Sequence, residues 1–244
     1  MDCGGPPREP VQALYSGFDS ARLLRSEAGG RWGAGPILTV VRTAIGVHAG
    51  GETVVVAVSG GVLPEVVGRW SLCLVDHRSR PELAQPYHAA AEVLGIEAGR
   101  ERIRLCQKAA REAADGIVDT VLSDLSRDRH RPTLAGLVTG AGRLAGSLEE
   151  ILRSHVQLHT AEGELLRTAL REAAEARDLE VVGVGDRGLG ARVAAVAQLS
   201  ELELTRRIDA LGKSIGPPWT KREKSACLVA WAALAEAGGG NRTR

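Results

Sequence analysis

Runs of β-branched and apolar residues, separated by turn residues, mark the first patterned part of the chain. Residues 37–47, 53–58 and 70–75 are almost wholly apolar, and glycine-containing segments of a few residues separate them. Runs of this kind between turn signals predict strands. Connections this short permit only antiparallel pairing. The pattern therefore predicts a three-strand antiparallel meander over residues 37–75.

Beyond residue 80 the hydrophobic pattern changes to helices that alternate with single strands. Apolar runs predict strands at 133–140 and 179–185. Helical periodicity predicts helices at 83–94, 98–126, 147–177, 188–197, 200–213 and 221–237. Single strands separated by helices imply right-handed parallel crossovers. The predicted fold class is α/β, a three-strand antiparallel meander extended by two parallel strands, with helices on both faces.

The two ends of the chain lack this patterning. Residues 1–35 are rich in proline and glycine and show no sustained period, so we expect a disordered or loosely ordered arm. Residues 36–237 are expected to form one domain, and residues 238–244 a flexible tail.

Composition narrows the class of protein. Apolar residues make up 44% of the 244 residues and charged residues 25%, values typical of a globular chain. A net charge of +1 and only seven aromatic residues argue against a wholly basic nucleic-acid binder and against stacked aromatic platforms for single strands. The four cysteines are widely spaced and contain no C-x-x-C pair, so the sequence predicts neither a zinc ribbon nor a disulfide framework.

Targeting and membrane signals are not visible in the sequence. No apolar run approaches the ~20 residues that span a bilayer. Residues 1–30 show no secretory pattern. We therefore expect a cytoplasmic protein without membrane association.

Two glycine-rich segments resemble nucleotide-binding loops but lack the elements that such loops need. Residues 57–61 (AVSGG) leave too few residues before the next predicted strand for a phosphate-binding helix. Residues 183–188 satisfy G-x-G-x-x-G, but no further strand follows to carry a ribose-binding acid. We predict tight turns at both and no nucleotide cofactor.

The predicted helix at 147–177 carries an apolar stripe that polar residues interrupt. At about 100° per residue, most of its leucines and alanines fall within roughly 60° of His155. His159 and Glu162 fall in the same stripe, whereas Arg167 and Arg171 fall on the far side. Three polar side chains that face a sheet are costly unless each finds a partner. His155, His159 and Glu162 are therefore the main candidate site.

A second polar cluster lies near the end of the third predicted strand. It comprises Asp76 and His77, just past that strand, and Tyr87 and His88 in a turn that opens a helix. A carboxylate at a strand end is well placed to face a cleft, although it is also a common turn residue.

These residue types point to metal binding or acid–base chemistry. Spacing of i, i+4 and i+7 lets His155, His159 and Glu162 converge on one divalent metal ion, or lets Glu162 orient a histidine for proton transfer. If the two clusters meet across the sheet, the catalytic residues would be Asp76, His88, His159 and Glu162. The alternatives are a buried hydrogen-bonded polar cluster and a trio that faces a second subunit in a homodimer.

The order of predicted elements resembles the ribonuclease H-like superfamily, and in particular its Holliday-junction-resolvase branch, over residues 36–236. Active members of that superfamily place Mg²⁺-binding carboxylates on the first strand, on or near the fourth, and in the final helix. The corresponding positions here are Arg42, Thr139 and Lys221-Arg222-Glu223-Lys224, so the catalytic carboxylates are not matched. The segments QPYH (85–88), SHVQLHTAEGE (154–164) and GPPW (216–219) are also similar to those of a bacterial family without an assigned activity.

Three functions are compatible with these observations. The resemblance implies a divergent metal-dependent phosphodiesterase that acts on nucleic acid. Alternatively, the chain is a non-catalytic protein of the same fold that binds a partner or nucleic acid, for which the basic stretches 127–131 and 221–224 offer phosphate contacts. The third alternative is a small-molecule hydrolase or transferase that uses a His/Glu acid–base pair.

Overall fold

Five strands form one mixed sheet in the computed structural model, which describes residues 42–239 except Val62, His77 and Ser79. The strands are β1 (Arg42–His48), β2 (Glu52–Gly60), β3 (Glu65–Cys73), β4 (Pro132–Thr139) and β5 (Glu180–Gly185). Their order in the sheet is β3-β2-β1-β4-β5. The pairs β1–β2 and β2–β3 are antiparallel, and the pairs β1–β4 and β4–β5 are parallel.

Seven α-helices lie within the same described residues. They are α1 (Pro86–Ala89), α2 (Gly95–Arg127), α3 (Leu148–Leu152), α4 (His155–Glu175), α5 (Leu189–Ala197), α6 (Glu201–Ile215) and α7 (Lys221–Gly239). A π-helical turn, Ala90–Leu94, joins α1 to α2, and a short 3-10 helix, Pro81–Leu83, precedes α1. The predicted mixed α/β architecture is thus confirmed. None of these helices is long and apolar enough to span a bilayer.

Helices cover both faces of the sheet. Val55 and Ala57 of β2 pack into a core with α2 and α4, while Val54 and Val56 pack on the opposite face into a core with α5, α6 and α7. Strands buried on both faces need apolar residues at nearly every position, which explains the continuous apolar run of β2. The buried side chain of Trp231 in α7 belongs to the second core.

Two glycines let α7 lie directly on the central strands. A Cβ on Gly46 of β1 would stand 1.9 Å from the carbonyl oxygen of Ala226, and a Cβ on Gly136 of β4 would stand 2.4 Å from that of Val229. Backbone oxygens cannot retreat as flexible side chains can, so any side chain here displaces the helix. Helix α7 therefore leaves no cleft over β1 and β4 at these positions.

The prediction of one helix over 147–177 is wrong. Helix α3 begins with a capping box between Ser147 and Glu150, and it ends at Leu152. Ser154 then has extended backbone angles and precedes the first residue of α4. Serine competes for backbone hydrogen bonds and so favours helix starts, which provides a local reason for the break.

Several predicted boundaries also shift. Strand β3 begins at Glu65 instead of residue 70, because Val66 pairs with Val58 across a β-bulge. Helix α7 continues to Gly239, so residues 238 and 239 belong to the helix and not to a tail. The predicted arm at 1–35 and the start of the first predicted strand lie outside the described residues.

Replacement of Gly46 by alanine tests the contact between α7 and the sheet. Because the new Cβ would overlap a backbone oxygen, we expect Gly46→Ala to lower the free energy of unfolding by about 3 kcal/mol or more. The control is Gly116→Ala in α2, where a Cβ meets nothing within 4 Å. Alanine there should raise the free energy of unfolding by up to about 1 kcal/mol. Denaturant titration measures both, and equal effects would contradict the contact.

Candidate functional site

Two histidines extend from the first two turns of α4. His155 is the first residue of the helix, and His159 lies one turn further along. Their Nε2 atoms are 3.0 Å apart, and both residues are exposed. Residues four apart lie side by side on a helix, so the pairing follows from local structure alone.

A third histidine reaches the pair from α1. His88 is 9% exposed, and its ring centroid lies 5.3 Å from that of His155 and 4.7 Å from that of His159. Gln85 has a positive φ of 42° and turns the chain, and Pro86 then opens the helix that carries His88. One nitrogen from each of the three rings lies within 4.8 Å of the other two. We call His88, His155 and His159 the histidine triad.

Glu162 links α1 to α4 beneath the histidine triad. Its Oε1 accepts hydrogen bonds from the backbone N–H of Tyr87 at 2.8 Å and of His88 at 3.4 Å, and it lies 3.5 Å from Nδ1 of His88. The first N–H groups of a helix have no hydrogen-bond acceptor within the helix, and the carboxylate of Glu162 accepts their hydrogen bonds. Burial raises the pKa of Glu162, and these hydrogen bonds oppose the shift. Burial and the nearby charge of Glu162 likewise raise the pKa of Tyr87.

A cavity of about 380 Å³ lies beside Glu162. Its walls come from the β1–β2 turn, the segment after β3, α2 and α4, and they are mostly apolar. Asp76, Arg80 and Glu162 supply charged groups to the wall. Asp76 also accepts a hydrogen bond from the backbone N–H of Arg78 at 3.0 Å. A largely apolar cavity with a few charged groups is the common form of a small-molecule site.

The two sequence clusters meet in part. The structure brings His88 of the second cluster to His155, His159 and Glu162 of the first, on one side of the sheet. Asp76 lines the cavity with Glu162 and does not belong to the histidine triad. His77 lies outside the described residues.

The expectation that His155 and His159 face the sheet is wrong, because both are exposed. The C-terminal half of α4 packs on the sheet through residues such as Leu170. Its N-terminal half instead packs through Leu158 against a small cluster that includes Tyr87. The apolar side of α4 therefore packs on the sheet in its C-terminal half and on the small cluster in its N-terminal half. His155 and His159 lie at the edge of the contact with the small cluster.

Arg167 is a feature that the sequence analysis missed. Its side chain is only 15% exposed, although the helical wheel placed it on the solvent side. A Cβ on Gly163 would stand 2.9 Å from Nη1 of Arg167, so the guanidinium occupies the space that a side chain there would fill. Long helical side chains lean toward the N-terminus, and a glycine four residues before an arginine is the signal that could have found it.

A polar cluster at the end of β1 was also missed. Asp186 accepts a hydrogen bond from Oγ of Ser225 at 3.0 Å and pairs with Nζ of Lys221 at 3.0 Å. These contacts lower the pKa of Asp186. Burial lowers the pKa of neighbouring His48, whose Nδ1 has no hydrogen-bond partner among the described residues. The cluster ties the start of α7 to the sheet.

Carboxylates are absent from the central strands where the resemblance would place them. Neither β1 nor β4 contains an aspartate or glutamate. Glu223 of α7 is 4% exposed and accepts hydrogen bonds from the backbone N–H and the hydroxyl of Thr220, which makes it a cap for its own helix. A carboxylate metal centre therefore has no ligands on β1 or β4.

Comparison with known proteins finds similarity among solved structures alone. No family model and no curated protein matches this chain. One similar structure is T. thermophilus RuvC in complex with a Holliday junction substrate, with 13% identity, a TM-score of 0.47, and coverage of 82% of this chain and 96% of that one. Another is Thermus thermophilus RuvC, with 12% identity, a TM-score of 0.47, and coverage of 81% and 96%. This similarity assigns no role to any residue.

The raised pKa of Glu162 predicts a pH dependence of stability in the metal-free protein. A native pKa above the ordinary 4.5 means that the folded state binds more protons than the unfolded state between the two values. The free energy of unfolding should therefore fall as the pH rises through this window. Glu162→Gln should lack that contribution.

The measurement is the difference in free energy of unfolding between the wild type and Glu162→Gln, from about pH 4 to about pH 8. Glu175→Gln, which changes an exposed carboxylate on the same helix, is the control and should show no such trend. A difference for Glu162→Gln that stays constant over the whole range would show that its carboxylate is not shifted.

Proposed function

We propose that this protein binds a divalent transition metal, zinc first among them, at the histidine triad and uses it for hydrolysis. The observation that carries the proposal is the convergence of one nitrogen from each of His88, His155 and His159 within 4.8 Å. Three histidines with an open fourth position are a recurrent catalytic zinc site. The proposal keeps His155 and His159 as metal ligands, adds His88, and gives Glu162 a supporting role.

The donor set decides which metal fits. Imidazole suits zinc, copper, nickel and iron, whereas magnesium prefers oxygen ligands. Two nitrogens on a tetrahedral zinc ion are about 3.3 Å apart, and the Nε2 atoms of His155 and His159 are 3.0 Å apart. His88 then needs only a small approach to complete the set. The Mg²⁺ chemistry that the resemblance implied has no matching ligands here.

Glu162 supplies the support that metal-bound histidines usually have. A carboxylate that accepts the Nδ1–H of His88 fixes the tautomer of the ring and leaves its Nε2 lone pair for the metal. A bound cation also favours the ionised form of Glu162, against the effect of burial. Glu162 is thus a positioning residue that acts through His88.

The surroundings suit a hydrolytic reaction. A divalent cation held by His88, His155 and His159 would supply an activated water at neutral pH and would polarise the bond that is attacked. His155 and His159 are exposed and leave one side of the triad open. The cavity beside Glu162 has room for part of a small organic substrate. These features favour the small-molecule hydrolase among the three functions, now with a metal in place of a simple acid–base pair.

A phosphodiester in nucleic acid is the second candidate substrate. The order of elements, a meander followed by alternating helices and strands, supports the assignment of the domain to the ribonuclease H-like fold. The positions that correspond to the superfamily's strand carboxylates, however, are Arg42 and Thr139, and neither β1 nor β4 contains an aspartate or glutamate. Cleavage of nucleic acid would therefore depend on the histidine triad as well.

Zinc titration by calorimetry tests the metal site. Removal of any imidazole ligand by alanine substitution should weaken zinc binding by more than about 100-fold, since even the loss of a supporting partner costs 10- to 100-fold. Glu162→Gln should fall within that smaller range. The control is His130→Ala, which changes a histidine in the turn between α2 and β4 and should bind zinc normally.

Zinc binding that is unaffected by all three alanine variants would contradict the proposed site. Thermal unfolding of each metal-free variant verifies that the fold is intact. Zinc should then stabilise the wild type and His130→Ala but not the triad variants, because only a ligand that binds the native state raises stability.

Hydrolysis is tested with the zinc-loaded protein on activated esters, on activated phosphodiesters, and on branched or hybrid nucleic acid. We expect turnover that a chelator abolishes, that His159→Ala removes, and that His130→Ala retains. Activated small substrates separate the first candidate from the second. If zinc binds at the triad and none of these substrates is cleaved, the site is not hydrolytic.

A further inference from the structure

One ridge of α4 continues from the histidine triad to two arginines. Residues four apart on a helix lie in one row, about 6 Å from one to the next. His155, His159, Gly163, Arg167 and Arg171 occupy five successive places in such a row. Two imidazoles and two guanidinium groups thus follow one row, which winds around the helix by about 40° at each step, with a glycine between them.

The guanidinium of Arg167 lies in a slot that two glycines leave open. Its Nη1 is 2.9 Å from the place of a Cβ on Gly163, and its Nη2 is 3.0 Å from that of a Cβ on Gly140, which follows β4. A glycine inside a helix costs about 1 kcal/mol relative to alanine, so Gly163 weakens α4 while it admits the guanidinium. The group is thereby held one turn from His159.

Most donors of this guanidinium remain available. Its Nε donates to Oε2 of Glu164 at 2.9 Å, which fixes the plane of the group. Its Nη1 and Nη2 form no hydrogen bond with any residue of the described chain. Arg171, the next residue of the row, forms neither a hydrogen bond nor an ion pair within the same range. Two guanidinium groups against one carboxylate leave this part of the row positive.

We propose that Arg167 binds an oxyanion of the substrate, a phosphate ester or a carboxylate. A guanidinium fork presents two parallel N–H groups that match two oxygens of such a group. The side chain of Arg167 is largely buried, but its Nη1 and Nη2 are not among the buried unpaired atoms of the described residues, so solvent or a ligand can reach them. The slot lies one helical turn from His159, so the bound oxyanion would belong to the substrate of the hydrolase proposed above. That reaction rests on the proposed function.

The anion site is tested in metal-free protein, so that its outcome is independent of zinc. Inorganic phosphate is titrated by calorimetry in one arm and acetate in the other. Arg167→Gln should weaken binding of the preferred anion by about 10- to 100-fold, the usual value of a hydrogen bond to a charged group. Tighter binding of phosphate assigns phosphate esters, and tighter binding of acetate assigns carboxylates.

Two further variants separate anion binding from folding. Gly163→Ala fills the slot and should weaken anion binding at least about tenfold, while alanine maintains or raises the stability of α4. Arg104→Gln removes an exposed arginine of α2 that pairs with Glu101, and it should leave anion binding unchanged. Equal effects of Arg104→Gln and Arg167→Gln, or no saturable binding of either anion, would overturn the proposal. If the protein binds zinc but neither anion, the anion site is wrong and the proposed metal site is unaffected.

Discussion

A partly buried carboxylate joins the two chain segments that carry the histidines. Glu162 accepts the backbone N–H groups of Tyr87 and His88, so the start of α1 is fixed against the second turn of α4. Together with the packing of Tyr87 against the cluster around Leu158, that contact places His88 beside His155 and His159, which are paired by helical spacing alone. The cost is visible in the raised pKa of Glu162. A cation bound by the three rings would offset that cost, because it favours a nearby negative charge.

The packing of α4 on the rest of the fold leaves the contact between Glu162 and α1 near the surface. Helix α4 packs on the sheet only through its C-terminal half, and its N-terminal half carries the triad beside a small satellite cluster. On the opposite face α7 lies so close to β1 and β4 that it leaves no cleft over Gly46 and Gly136. The proposed metal site therefore lies at the start of a helix and not over the central strands. The cavity lined by Asp76 and Glu162 lies on the same side of the sheet.

Local patterns in the sequence predicted the elements but not their meeting points. The apolar runs of β2, β4 and β5 required strands, and the helical periods of α2, α6 and α7 were strong enough to fix those helices within a few residues. The break at Ser154 was not visible, because the apolar period continues through it. The approach of His88 to His159 depends on a contact between residues 74 positions apart in the chain, Glu162 and His88, which no local period encodes. For the same reason Arg167 looked solvent-facing, since a helical wheel does not show that glycines leave a slot.

The central claim is that three imidazoles bind one metal ion, and zinc-edge X-ray absorption of the zinc-loaded protein tests it most directly. We expect a four-coordinate zinc ion with three imidazole nitrogens at about 2.0–2.1 Å and one further light ligand. His88→Ala should reduce the imidazole contribution from three rings to two. A spectrum with oxygen ligands only, or one that His88→Ala leaves unchanged, would contradict the claim.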